Sequence, residues 1–216
     1  MNARSRLHIV LSLIGFLAGL AAQAQTSGHV TKTETVYDYF KATYEVLASD
    51  TSVCDGAYEL AYGTRTLEKG QYSKGNKTGE WEYRNLQNMV ELRYNWTTKR
   101  PTYMLPHKGY TYNQKNYPAT FLGSSMIPFY YVHSKAYYPK AEANNKSGGY
   151  VTLSLRISPT GRLSSFAIKD SSSPNFARVV RKAAEQIPKG AWRWVPALKN
   201  GVNVDGYYDI TIMFEN

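Results

Sequence analysis

Alternation with period two dominates this chain, and it admits only strands that bury one face and wet the other. It starts with Tyr58, Leu60 and Tyr62 and returns between Met89 and Trp96, where Val90, Leu92, Tyr94 and Trp96 oppose Glu91, Arg93 and Asn95. It returns twice more near the end. Val151, Leu153, Leu155 and Ile157 alternate with Thr152, Ser154 and Arg156, and Tyr208, Ile210, Ile212 and Phe214 alternate with Asp209, Thr211 and Met213. One stretch follows a different period. Phe176, Val179, Val180, Ala183, Ala184 and Ile187 recur at helical spacing, with Arg178, Arg181, Lys182 and Glu185 on the opposite face. Ser173 suits the N-cap, Pro174 the first helical position, and Pro188 ends the helix.

With strands outnumbering helices, the expected fold class is α+β: an N-terminal tyrosine-rich antiparallel β-meander and a C-terminal three-stranded antiparallel sheet with packed helices. Cys54 is the only cysteine, so no disulfide within one chain holds either part together. Each must fold on its core. The 19 tyrosines suit this task, because the ring half-buries on a sheet while the hydroxyl reaches water.

In the first half, Leu67 to Tyr72 leads into Lys74-Gly75-Asn76-Lys77-Thr78-Gly79, read as a turn throughout, and the chain resumes as Glu80-Trp81-Glu82-Tyr83. This is a hairpin signature. The spacing Gly70-x-Tyr72-x-x-Gly75-x-x-x-Gly79-x-Trp81-x-Tyr83 resembles a unit of the MORN-type repeats, and the MORN-like region is placed at about residues 57–96. The resemblance implies stacked hairpins in which glycines permit tight turns and aromatics cover the neighbouring unit. Val36, Tyr37, Tyr39, Phe40, Tyr44 and Val46 fit neither period cleanly and are read as earlier strands of the same sheet. The strand from Met89 is expected to stop before Pro101, and the Tyr-, Pro- and Gly-rich stretch from Pro101 to Pro128 to connect the two halves.

In the last third, Ser158-Pro159-Thr160-Gly161 forms a turn between two strands expected to pair as a hairpin. The second strand carries Leu163, Phe166 and Ile168, whose three-then-two spacing predicts a bulge near Ser164 and Ser165. Asn200-Gly201 marks a further turn. The order strand, strand, helix, strand after Tyr138-Pro139-x-Ala141 resembles the TonB C-terminal domain family. Gly149, Gly161, Ser171-Ser172, Pro174, Trp194-x-Pro196-Ala197, Gly201-Val202 and Ile210-x-Ile212-x-Phe214 also carry the likeness, which covers about residues 135–216.

The resemblance implies a module that binds a short segment of an outer-membrane transporter as an added strand at its open sheet edge. That edge is the last strand, so a partner would meet Tyr207, Asp209, Thr211 and Met213. Trp192 and Trp194 are further candidate partner-binding residues, because tryptophan is enriched where interfaces concentrate their energy, and the competing reading has at least one of the two rings plugging the core beneath the helix. The membrane helix and long proline-rich spacer of the usual transducer are not recognised here, so the expectation is binding without energy transduction.

Arg4 and Arg6, the apolar stretch Leu7 to Ala22 and the small residues of Ala22-Gln23-Ala24 read as a cleavable secretory signal over residues 1–24. The stretch is shorter than the roughly 20 residues a spanning helix needs. The signal predicts a periplasmic or outer-envelope location with no stable membrane anchor after cleavage. Losing the two arginines lowers the formal net charge of +10 by two, and the scattered positive charges and export argue against nucleic acid.

Catalytic signatures are missing: the sequence shows no nucleophile elbow or phosphate loop. His29, His107 and His133 lie far apart, and Cys54 has no local activating pattern. No enzyme activity, cofactor or metal is expected, and the partner is expected to be a protein or an extended peptide. The domain plan is 25–115 for the β-rich part, 116–134 for the connector and 135–216 for the C-terminal module. The competing reading is a structural or immunity-like (antitoxin-like) interaction protein acting through the MORN-like region.

Overall fold

The computed structural model describes residues 28–106, 113–144, 148–188 and 190–215. The proposed signal over residues 1–24, and His107, fall outside them. Seven strands form one antiparallel meander in sequence order: β1 (His29–Val36), β2 (Phe40–Leu47), β3 (Asp50–Tyr62), β4 (Arg65–Ser73), β5 (Asn76–Arg84), β6 (Val90–Asn95) and β7 (Arg100–Met104). Two expectations are corrected here. Only Lys74 and Gly75 turn the β4–β5 hairpin, and Asn76 to Gly79 already belong to β5. The surplus residues are absorbed where the β4–β5 register slips between Lys69 and Gln71, near Gly79 with its φ of 61°. The strand read from Met89 does stop before Pro101, but Pro101 does not open a connector: it lies within β7, an edge strand, where a missing N–H breaks no ladder.

The meander is covered on one face by aromatics. Tyr58 stacks close to Trp81 with ring centroids 5.1 Å apart, and Tyr72 meets Trp81 edge-on at 5.2 Å. Gly70 makes this packing possible, because a methyl group there would overlap the Trp81 ring. Lys77 lays its Nζ 3.7 Å from the Trp81 centroid, with the rings of Tyr58, Tyr83 and Trp96 around it and the Glu68 carboxylate 3.9 Å away. Burial pushes the Glu68 carboxyl above its ordinary range, although Lys77 and the Ser124 N–H oppose the shift. Burial likewise lowers the Lys77 ammonium, against the pull of Glu68.

The C-terminal module follows β8 (Thr120–Phe121), α1 (Met126–Lys135) and α2 (Lys140–Asn144). Its sheet comprises β9 (Gly149–Ile157), β10 (Leu163–Ser171) and β14 (Gly206–Phe214) in the order β10-β9-β14. Helix α3 (Pro174–Glu185) lies across β9 and β10. Short β11 (Trp194–Val195) pairs with β8, and β12 (Ala197–Lys199) pairs with β13 (Val202–Val204) around Asn200-Gly201, both at positive φ. The bulge read near Ser164 is present, with a second register shift between Ile168 and Asp170. Ser173 caps α3 by accepting from the Asn175 N–H, and the helix, which ends at Glu185 before reaching Pro188, buries Phe176, Val179, Val180, Ala183 and Ala184, with Ile187 buried just beyond its end.

The stretch 116–134 is more than a connector. It contains β8 and most of α1, which touches both α3 and β14. The two halves also share core: Phe40, Ala42, Leu60 and Leu67 of the meander join one hydrophobic cluster with Phe121, Ile127, Leu153, Phe176 and Ile212. A second cluster sets Val195 among Trp81, Tyr83, Leu92 and Met104.

Replacing Gly70 with Ala should lower the unfolding free energy by about 1–3 kcal/mol, since Trp81 must leave its place in a packed layer; urea titration measures it. Glu68 gives a pH-dependent signature. Its raised carboxyl stabilises the fold below the ordinary value of 4.5, and that contribution is lost as pH rises through the raised folded value. The stability of the native chain relative to Glu68→Gln should therefore fall as pH increases from about 4.5, as measured by paired denaturations at several pH values.

Candidate functional site

Strand β14 forms by alternation alone. Tyr208, Ile210, Ile212 and Phe214 face the helices, and β14 stays in unbroken register with β9 from Gly206 opposite Ile157 to Phe214 opposite Gly149. The inward face is firmly seated. Phe214 stacks on Phe176 with centroids 4.3 Å apart, and Tyr138 meets both rings edge-on at 5.6 and 5.8 Å. Burial drives the Tyr208 hydroxyl far above its ordinary value, with the nearby charge of Glu91 adding to the rise. Helix α1 backs the same strand.

Opposite the core lies a polar face, and the four residues expected to meet a partner are together on it. Tyr207 and Met213 are 65% and 55% exposed. Between them, Asp209 accepts from the Ser154 hydroxyl at 2.6 Å and from Lys169 Nζ at 2.6 Å, tying β14, β9 and β10 together. This bond raises the Lys169 ammonium above its ordinary value. Thr211 and Thr152 place their hydroxyl oxygens 3.1 Å apart, and Arg156 reaches Asp205 at 3.1 Å. Asp209 and Thr211 are thus committed to the sheet, while Tyr207 and Met213 present uncommitted surface at either end.

The strand's second side is the chemically open one. Strand β9 takes one side, and among the described residues no strand pairs with the other. An edge of this kind displays unpaired N–H and C=O groups that an extended peptide can complete. The edge is also long and regular, with no bulge, no proline and a single charged side chain, Asp209.

Trp192 and Trp194 require a correction. Both are only 4% exposed, so neither ring offers a contact surface. Phe121 sits edge-on to each at 5.6 Å, and Tyr131 meets Trp192 at 5.1 Å. They fill the space between α1 and the β8–β11 pair, although neither indole N–H has a protein acceptor among the described residues. Large-ring packing is the reason: these are the bulkiest apolar groups near the helix layer, and burying them outweighs the orphaned donors.

Sequence reasoning missed α1 and its anchorage. The backbone N–H of Ser124 donates to Glu68 at 2.9 Å, and that of Ser125 donates to Glu91 at 2.6 Å. The only sequence signal was Ser124-Ser125 ahead of a proline in the first turn, hidden among tyrosines.

The remaining chemistry is sparse. Burial lifts the Cys54 thiol above its ordinary value, the opposite of an activated nucleophile. His29 Nε2 lies 2.7 Å from Asp55 Oδ1, and His133 stacks on Phe129. The described residues hold no group of three or more potential metal ligands and no helix long and apolar enough to cross a membrane.

Residues 134–215 match the family model described as the Gram-negative bacterial TonB protein C-terminal. The match runs from the end of α1 through β14 and leaves the meander outside it. No curated protein matches the chain significantly.

Replacing Trp194 with Ala should cost about 3–5 kcal/mol of stability because it empties a core site. Tyr207→Ala should stay within about 0.5 kcal/mol, as expected of a surface position. Chemical denaturation of the two variants in parallel tests the assignment of core and surface.

Proposed function

Taking the C-terminal region as a protein-interaction module of the TonB C-terminal kind, we propose that it binds an extended peptide along the open side of β14. The free, unbroken edge from Gly206 to Phe214 is the observation that carries this reading. Backbone hydrogen bonds supply the attraction, and the alternate side chains Tyr207 and Met213 supply selectivity. The partner is a protein of the Gram-negative envelope, with a periplasm-facing segment of an outer-membrane transporter as the best candidate. The chain acts without catalysis of its own, in the periplasm or outer envelope, after removal of residues 1–24.

Interaction through the meander remains the second reading. It draws on a shallow groove of about 620 Å³ on the face away from the aromatics, lined among others by Thr43, Glu45, Glu59, Lys69, Gln71 and Glu82.

One experiment separates the two. Amide hydrogen exchange, followed by NMR, is measured on the protein with and without a synthetic peptide from such a transporter segment. In the free protein, amides of β14 that point away from β9 should exchange quickly. With peptide, alternate amides between residues 206 and 214 should gain protection and the Tyr207 and Met213 side-chain signals should move. Protection confined to β3, β4 and β5 favours the meander reading, and an unchanged β14 removes the edge-docking proposal.

A further inference from the structure

The larger sheet also has an open edge, β1, and its sequence is self-complementary. Strand order places β2 on one side of β1 and no described strand on the other. The β1–β2 register runs without a slip from His29 opposite Leu47 to Val36 opposite Phe40. Sheet edges are usually blunted against association. Here β7 is short and carries Pro101, which has no N–H to offer, and β10 is bent by two register shifts. Strand β1 has neither device, and the edge charges it does carry, Lys32 and Glu34, oppose an unmatched strand but can pair with a second copy of β1.

Read from Val30 to Val36, β1 is Val-Thr-Lys-Thr-Glu-Thr-Val. A two-fold axis through Thr33 in an antiparallel pair sets Val30 opposite Val36, Thr31 opposite Thr35, Lys32 opposite Glu34, and Thr33 opposite itself. Each pairing occurs twice, as an isologous contact requires. Lys32 and Glu34 share one face of β1, because they lie two residues apart on a strand. The axis therefore creates two opposite-charge cross-strand pairs at once, with a threonine ladder on the other face. Val30 is 43% exposed and gains an apolar neighbour. In contrast, β14 carries Asp209 as its only charge, so no two-fold axis gives it an opposite-charge pair with its own copy.

We propose that β1 is a homodimerisation edge, and that two copies join their meanders antiparallel about Thr33. Strand β14 stays free in this dimer. Thr31 also lines the groove on the meander, so the grooves of both copies meet along the joint.

Sedimentation velocity over a concentration series tests this on the chain from residue 25 onward and on its Lys32→Glu and Glu34→Lys variants. The native chain should form a dimer. Either single substitution sets like charges opposite each other at two places and should weaken the dimer roughly tenfold. An equimolar mixture of the two variants restores both pairs and should recover the association. A native chain that stays monomeric throughout, or a dimer indifferent to both substitutions, overturns the proposal.

Cross-linking locates the axis independently. In a Cys54→Ser background, Thr33→Cys should form an intermolecular disulfide, because directly opposed residues lie about 4.5–5.5 Å apart, within disulfide reach. Thr35→Cys should not, since its copy is displaced by roughly 13 Å along the strand. Equal cross-linking at both positions, or none at residue 33, also overturns the assignment.

Discussion

Two carboxylates, Glu68 buried and Glu91 half-buried, hold the halves of this molecule in one arrangement. Glu68 on β4 and Glu91 on β6 accept the backbone N–H groups of Ser124 and Ser125, 56 and 34 residues later in the chain. These donors stand at the start of α1, where helix geometry leaves N–H groups without partners and the helix dipole favours negative charge. Ser125 makes no side-chain cap of its own, so the meander supplies the helix's N-terminal partners. The Ser124 hydroxyl reaches back to the Arg84 carbonyl at 2.6 Å, adding a third tie from the same corner. Once α1 is seated, its tyrosines find their places: Tyr130 packs against Phe40 and Tyr62, and Tyr131 against Tyr37 and Trp192.

This seam positions the open edge of the small sheet. Helix α1 backs β14, and the meander grips the beginning of α1, so β14 is held from its inner side although, among the described residues, no strand pairs with its outer side. For the proposed strand addition, a preformed edge spares the cost of ordering it on binding. The Asp209, Ser154 and Lys169 contacts serve the same purpose across the polar face. The sheets thus differ in how their edges are finished: proline and brevity at β7, bulges at β10, unbroken ladders at β1 and β14. Such differences carry meaning, since an unblunted edge exposes a protein to association that it must either use or tolerate.

Much of the C-terminal module was legible residue by residue. The alternation of β9 and β14, the Ser173 cap, the apolar stripe of α3 and the bulge after Leu163 each follow from local rules that act within a few residues. Tyr207, Asp209, Thr211 and Met213 fell on one face for the same reason. Local rules did less well where partners are distant. Pro101 looked like the start of a connector because its missing N–H forbids a central strand, yet an edge strand accepts it. The glycine-rich run after Lys74 looked like one long turn, but a bulged strand uses those residues under an aromatic layer. Trp192 and Trp194 could serve an interface or the core, since their type is common in both. Their burial depends on where α1 lands.

The amino-acid sequence by itself determined the periods: which segments are strands with one wet face, which segment is an amphipathic helix, and which residues of β14 turn away from the core. It also determined the mirrored charges of β1, which are present whatever the fold does. Only the tertiary structure decided which strands remain at an edge, because edge status depends on the full strand order and not on any one segment. It alone decided that α1 exists as a buried anchor, since the carboxylates completing its first turn come from strands far earlier in the chain. Periodicity acts over neighbouring residues, whereas satisfying a helix end or leaving a ladder open is settled by groups that meet only after the chain has folded.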